Sequence, residues 1–139
     1  MASGFYNTFK ADLLSGTHNL ANGGNTIKLG LLNNSHTFTA ENDVWSDISA
    51  NEISGTGYTT GGATIASQTV STDDTDDEGV WDAADVSFTS SSFSAYHGVL
   101  YNTSVSSKLI YSLDFGGVQT VTTGTFTVVW AAEGIININ

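Results

Sequence analysis

The sequence predicts an all-β fold: a single antiparallel β-sandwich, or a jelly-roll-like relative of one, preceded by a short N-terminal helix. Three observations carry that expectation. Charged residues make up only 12% of the 139, about half the usual share. In their place stand 17 serines and 19 threonines, a composition that suits strands better than exposed helices. Seven or eight short alternating or β-branched runs are separated by glycine-rich turns, and no long helical period intervenes to suggest a parallel α/β sheet. A chain of this length falls in the range of one domain and buries about two-thirds of its unfolded surface. The expected division is therefore a helix or arm over 1–16 and one β-sandwich domain over 17–139.

Taken in order, Phe5, Phe9, Leu13 and Leu14 lie near the spacing of one helical face. Ser3 is placed to cap that helix and Gly16 to stop it. Such a segment either covers one end of a sheet or reaches a neighbouring subunit, which makes Phe5, Phe9 and Leu13 candidate assembly contacts. Asn22-Gly23-Gly24-Asn25 signals a turn into a strand over 26–32, where Ile27, Leu29 and Leu31 alternate with Lys28 and Gly30. Gly55-Thr56-Gly57 and Gly61-Gly62 bracket Tyr58, and a β-branched run over 63–70 follows. Val86 and Phe88 open a strand ahead of an expected Ser90-Ser91-Ser92 loop. Residues 93–101 are apolar on both parities, the pattern of a strand buried on both sides. Leu109, Tyr111, Leu113 and Phe115 alternate with Ser112 and Asp114 until Gly116-Gly117 is expected to turn the chain. Phe126, Val128 and Trp130 alternate with Thr125 and Thr127, and 135–138 forms the closing strand.

The charge balance excludes several function classes. Fourteen carboxylates face three lysines (Lys10, Lys28, Lys108) and no arginine, for a formal charge of −11. Nucleic-acid affinity depends largely on lysine and arginine neutralising phosphates, so no DNA or RNA partner is expected. Phosphate-transfer chemistry lacks its forked guanidinium. No run approaches the roughly 20 apolar residues of a membrane helix, and the opening MASGFYNTFKADLL lacks the apolar core of a secretory signal, so synthesis in a cytoplasm is expected. Zero cysteines exclude disulfides and thiolate sites.

Half of the carboxylates crowd into residues 73–85. Asp74, Asp76, Glu78 and Gly79 match the alternating start of a calcium loop, with Asp82 and Asp85 at later ligand positions. Calcium is thus the one cofactor the residues suggest, as a weak oxygen-ligand site. Flanking helices are missing and an aspartate replaces the bidentate glutamate, so the default is a solvated acidic hairpin. His18, His36 and His97 show no metal-ligand spacing, and His97 reads as a core imidazole. No GxSxG elbow occurs, and no spacing pairs the scattered acids Glu41, Asp43, Asp47, Glu52, Asp114 and Glu133 across a cleft; an enzyme is not expected. Trp45, Tyr58 and Trp81 either stack on sugar rings, as in a carbohydrate-binding module, or plug the sandwich.

The segments VWSDISANEISGTGYTTGGATIASQTV (44–70), DDEGVWDAADVSF (76–88), VLYN (99–102) and LIYSLDFGGVQTVTTGTFTVVWAAEGI (109–135) together resemble a family of small proteins encoded in tailed-bacteriophage structural gene clusters. GFYNTFKADLLSGTHNL and TIKLGLLNNSHTF fit the same pattern, so the likeness spans nearly the whole chain. The 73–78 run is denser in acids than the family pattern, and His97 stands where the family more often places a tyrosine-like or basic residue. The resemblance implies a non-enzymatic virion structural protein, chiefly a capsid decoration (cement) protein on the outer shell, with a tail, neck or fibre component as the alternative. Its implied partners are the major capsid protein or other virion proteins. A proline-free chain of short strands with few lysines must cover its edges, and a homo-oligomer, most simply a trimer matching the local three-fold positions of a shell, does so.

Overall fold

The computed structural model describes residues 3–139; Met1 and Ala2, the first two residues of the expected 1–16 arm, lie outside the described residues. In chain order the elements are β1 (Gly4–Phe5), α1 (Asn7–Ser15), β2 (Ile27–Leu32), β3 (Ala63–Thr64), β4 (Thr69–Asp73), β5 (Glu78–Asp82), β6 (Val86–Asn102), β7 (Lys108–Val128) and β8 (Ile136–Ile138). They form two antiparallel sheets, β1-β7-β6-β2-β3 and β4-β5-β8. Leu29, Leu31, Phe88, Leu100 and Ile110 of the first sheet share a core with Trp81 and Ile136 of the second. The chain is an all-β sandwich with a short N-terminal helix, and among the described residues no helix is long and apolar enough to cross a membrane.

Burial explains the sequence pattern at the centre of the larger sheet. Its other face carries a second small core of Tyr6, Leu32, Ile48, Val99, Tyr101 and Leu109. Both parities of β6 from His97 to Asn102 are consequently buried, as a two-sided apolar run requires; the run expected over 93–101 is two-sided only from His97, since burial alternates over 93–96, with Ser94 exposed. Gly62 (φ +83°) shows why a glycine stands before β3. A Cβ there would run into the Leu29 carbonyl on the neighbouring strand, so the close approach and the left-handed backbone both select glycine.

Several local expectations are corrected. The helix starts four residues later than Ser3, because Gly4 and Phe5 are drawn into pairing with Ser112 and Tyr111 of β7. Tyr6 holds the cap position without a side-chain bond, and Ser3 Oγ instead accepts the Asp114 N–H at 2.8 Å. Gly16 does end the helix, in a left-handed conformation with its N–H directed to the Asp12 and Leu13 carbonyls. The 63–70 run is two strands in different sheets, broken where Ser67 takes φ +56°. Ser90-Ser91-Ser92 is a bulged part of β6, where Ser91 Oγ donates to the Phe88 carbonyl at 2.9 Å. Likewise Gly116-Gly117 is a bulge in β7 (φ +76° and +148°), and the strand runs on to Val128. Bulges use the same permissive residues as turns, so the two cannot be separated by composition. Trp130 lies beyond β7, and its ring N–H donates to the Ala84 carbonyl at 3.0 Å.

Candidate functional site

The acidic segment folds as a hairpin tip. β4 and β5 pair in register from Thr69↔Asp82 to Asp73↔Glu78, and Asp73 Oδ1 accepts the N–H groups of Thr75 (2.9 Å) and Asp76 (3.4 Å). Carboxylate oxygens of Asp73, Asp76 and Glu78 lie within 4.8 Å of one another, the one such group found among the described residues. Of the expected calcium ligands, Asp76 and Glu78 join this group and Asp74 does not. Asp82 sits four residues along β5 from Glu78, about 13 Å away at strand rise. Asp85 is farther still, with Oδ1 accepting the Trp130 N–H at 3.0 Å. An extended ladder cannot wrap these residues around one ion. Asp73 was missed because its place across from Glu78 follows from register.

The three polar-flanked aromatics serve the interior. Trp81 is 3% exposed and donates its ring N–H to the Leu20 carbonyl at 3.0 Å. Trp45 stacks on Tyr101, with 4.4 Å between centroids and 11° between planes. Tyr58 packs against Phe88 and Phe93, donates to Glu52 Oε1 at 2.7 Å and accepts the Leu31 N–H at 3.0 Å. Glu52 Oε1 also accepts the Gly61 N–H at 2.6 Å, so this carboxylate staples a loop to β2.

Two polar groupings were illegible in the sequence. Lys108 Nζ donates to both oxygens of Asp12, at 2.9 and 2.8 Å, tying β7 to the helix. His18 Nε2 lies 3.3 Å from the same carboxylate, and its Nδ1 meets the Asn102 side chain at 2.8 Å. Burial lowers the His18 pKa, and the Asp12 charge opposes that shift. At the far side of β2, His36 and His97 pack edge to face with centroids 5.0 Å apart. Burial, then the neighbouring imidazole, pushes His36 down to about 4; burial lowers His97 as well, against the pull of Asp114, 4.0 Å away. Both shifts favour the neutral imidazole. Both groupings pin elements together.

Of the expected assembly contacts, Phe9 is 0% exposed in the chain's own core, and Phe5 stacks on Phe9 and meets Tyr111 edge to face. Internal packing has taken both, because β1 holds the segment against β7. Leu13 is 40% and Leu14 93% exposed, so the large apolar side chains that the helix turns outward are in its last turn. A larger outward surface is the far half of the β6–β7 hairpin. There Phe115, Val121 and Phe126 remain half-buried beside a groove of about 430 Å³.

Compared with models of protein families, with curated proteins and with solved structures, the chain matches none.

Proposed function

We propose that this chain is a non-enzymatic structural protein of a tailed-bacteriophage virion, made in the host cytoplasm and bound to the outer shell as a capsid decoration protein. The observation that carries the reading is how the resembling segments are spent. Gly62 of GTGYTTGGATI admits the β2 carbonyl, Trp81 of DDEGVWDAADVSF plugs the sandwich, and LIYSLDFGGVQTVTTGTFTV lies in one long strand. Every motif builds architecture. Rings that a carbohydrate-binding module would expose at Trp45, Tyr58 and Trp81 are engaged internally. The acidic surface suits an exterior position away from packaged DNA, and the partners are the major capsid protein and further copies of this chain, as a trimer at local three-fold positions.

The test is an image of the particle at moderate resolution, together with stoichiometric binding of purified protein to expanded shells. Density on the head and saturable binding support decoration. Density on tail, neck or fibre replaces it with that alternative. Absence from purified particles overturns the virion reading, and turnover abolished by one carboxylate substitution would overturn the non-enzymatic one.

A further inference from the structure

The far half of the β6–β7 hairpin is a sheet that stops short. β1 covers the outer edge of β7 only at Tyr111 and Ser112. Among the described residues no strand pairs with that edge from 115 to 128, leaving a long row of backbone donors and acceptors without a strand partner. The two strands of this half also differ in cover. Phe88 and Phe93 of β6 are 5% and 7% exposed. Phe126 and Val121, directly opposite them on the same face, are only half-buried, and Val118 is 50% exposed. Apolar surface therefore ends at β7, where no further strand of the described residues extends the sheet.

Charge selects the occupant. In a chain of −11, residues 86–96 and 115–132 contain no aspartate, glutamate, lysine, arginine or histidine. The β4 edge of the second sheet is different: the strand ends in the carboxylates of Asp73 and the hairpin tip. Two copies approaching through that edge would juxtapose like charges. Through the ribbon they would juxtapose threonine, valine and phenylalanine. Edges are blunted with lysine, proline, inward charges or bulges; this one carries none of the first three and is interrupted only by the bulges at Gly116-Gly117 and near Thr123.

We infer that a second copy of this chain docks on the far half of the β6–β7 ribbon, placing its own ribbon along the 118–128 edge and over the Phe115–Val121–Phe126 groove. Strand addition supplies the main-chain hydrogen bonds, and Phe115, Val121 and Phe126 supply apolar contacts within a groove whose accessible lining is mostly polar, from Gln119, Thr120, Thr125 and Thr127. The inference deepens the oligomer of the proposed virion role, yet it requires no particle; failure to bind shells would count against the virion reading alone.

The test uses the full chain in solution. Sedimentation across a hundred-fold concentration range is expected to show a closed oligomer, dimer or trimer, that dissociates on dilution. Amide hydrogen exchange in 118–127 should slow with concentration while the centre of β2 does not change. Thr120→Glu combined with Thr125→Glu, both exposed, should give a monomer with an unchanged circular dichroism spectrum. Leu14→Ser, on the helix, should leave the assembly intact. A wild-type chain that stays monomeric at the highest concentration overturns the inference. So does an oligomer that survives the double glutamate variant, or one that Leu14→Ser dissociates instead.

Discussion

The two halves of the β6–β7 hairpin are made from similar residues and live in different surroundings. From His97 to Asn102, β6 has β2 on one side and β7 on the other, and both of its faces are covered. Between 86 and 96 the strand keeps β7, but on its other side only a single bridge from Thr56 to Ser92 remains. Burial there alternates, with Val86, Phe88, Phe93 and Ala95 inside and Ser87, Thr89 and Ser94 outside. Hydroxyl pairs, Ser87–Thr127 at 3.1 Å and Ser94–Thr120 at 2.8 Å, line the outer face. The junction between the halves is the bulge at Gly116-Gly117, where three extra residues of β7 fit between the Ala95↔Gln119 and His97↔Asp114 pairs. One half is a core strand pair and the other is a ribbon. The difference shows that strand length alone does not define a core; neighbours on the edge and on both faces do.

The sharpest way to break that contrast is to truncate a side chain in each half. Leu100 is 0% exposed in the main core, and Leu100→Ala should cost about 3 kcal/mol from lost transfer and the cavity left behind. Val121→Ala should cost well under about 1 kcal/mol in the monomer, because its site already meets solvent. Urea denaturation at low protein concentration checks both, since any assembly adds stability by mass action. Equal losses would mean that the two halves are equally packed and the comparison is wrong.

A second contrast lies between the ends of the hairpin. The near end is pinned by Lys108 to Asp12, whose side chains are 30% and 11% exposed; no ion pair is found in the charge-free far half. Lys108→Met leaves the Asp12 carboxylate largely buried without its cation and should cost about 2 kcal/mol, below the full penalty for a deeply buried pair. Adding Asp12→Asn should recover part of that loss, since the uncompensated charge is gone. Thermal unfolding of the single and double variants reads the difference. A double variant no better than Lys108→Met would show that the helix is held by packing alone.

The histidine pair tests the junction. Because the pKa of buried His36 is depressed to about 4, the unfolded chain binds more protons than the folded one between about pH 6.5 and that value. Stability is therefore fully present above pH 6.5 and falls as the pH drops, by about 2 kcal/mol at pH 5 from His36 alone. His97, lowered in the same direction, adds to the slope. His36→Gln should flatten the profile between pH 6.5 and 5 when unfolding is followed by tryptophan fluorescence. An unchanged slope would place the acid sensitivity elsewhere.

What could be read in the sequence divides along the same line. Alternation at Tyr111–Leu113–Phe115, the two-sided run before Asn102 and the stop at Gly16 follow from local period and backbone permissiveness, so they were legible; Leu109 does not share that face, because a bulge at Ile110 turns it into the second small core, and Ser112 is buried. The length of the hairpin was not. Ser90 (φ +50°) and Gly116-Gly117 carry the residues of turns, and only cross-strand pairing distinguishes a bulge from a reversal. Phe5 has the spacing of a helical face, but a two-residue pairing with β7 outweighs that propensity. The sites were hidden for a related reason. His36 and His97 meet only through β2–β6 pairing, and Asp73 joins Glu78 only through the β4–β5 register, whereas the linear calcium-loop pattern over 74–85 assumed a coil that the ladder replaces.

The smallest expected effect contrasts the charge-free ribbon with the acidic β4–β5 tip. Crowded exposed carboxylates repel one another, weakly in water and less as salt screens them over a Debye length of about 10 Å at 0.1 M. Asp74→Asn with Asp77→Asn should therefore raise the melting temperature by about 1 °C at 10 mM salt and by less at 150 mM, whereas Thr122→Asn in the ribbon should show no salt-dependent change. Calorimetry at the two salt concentrations separates these outcomes. Calcium at about 10 mM, compared with chelator at matched ionic strength, then asks more of the Asp73–Asp76–Glu78 group. A rise in melting temperature beyond screening reports binding to the native state, and its loss in Asp76→Asn assigns it to this group. Identical curves leave the tip as a solvated hairpin, and a salt response that is the same in ribbon and tip would remove the electrostatic distinction between them.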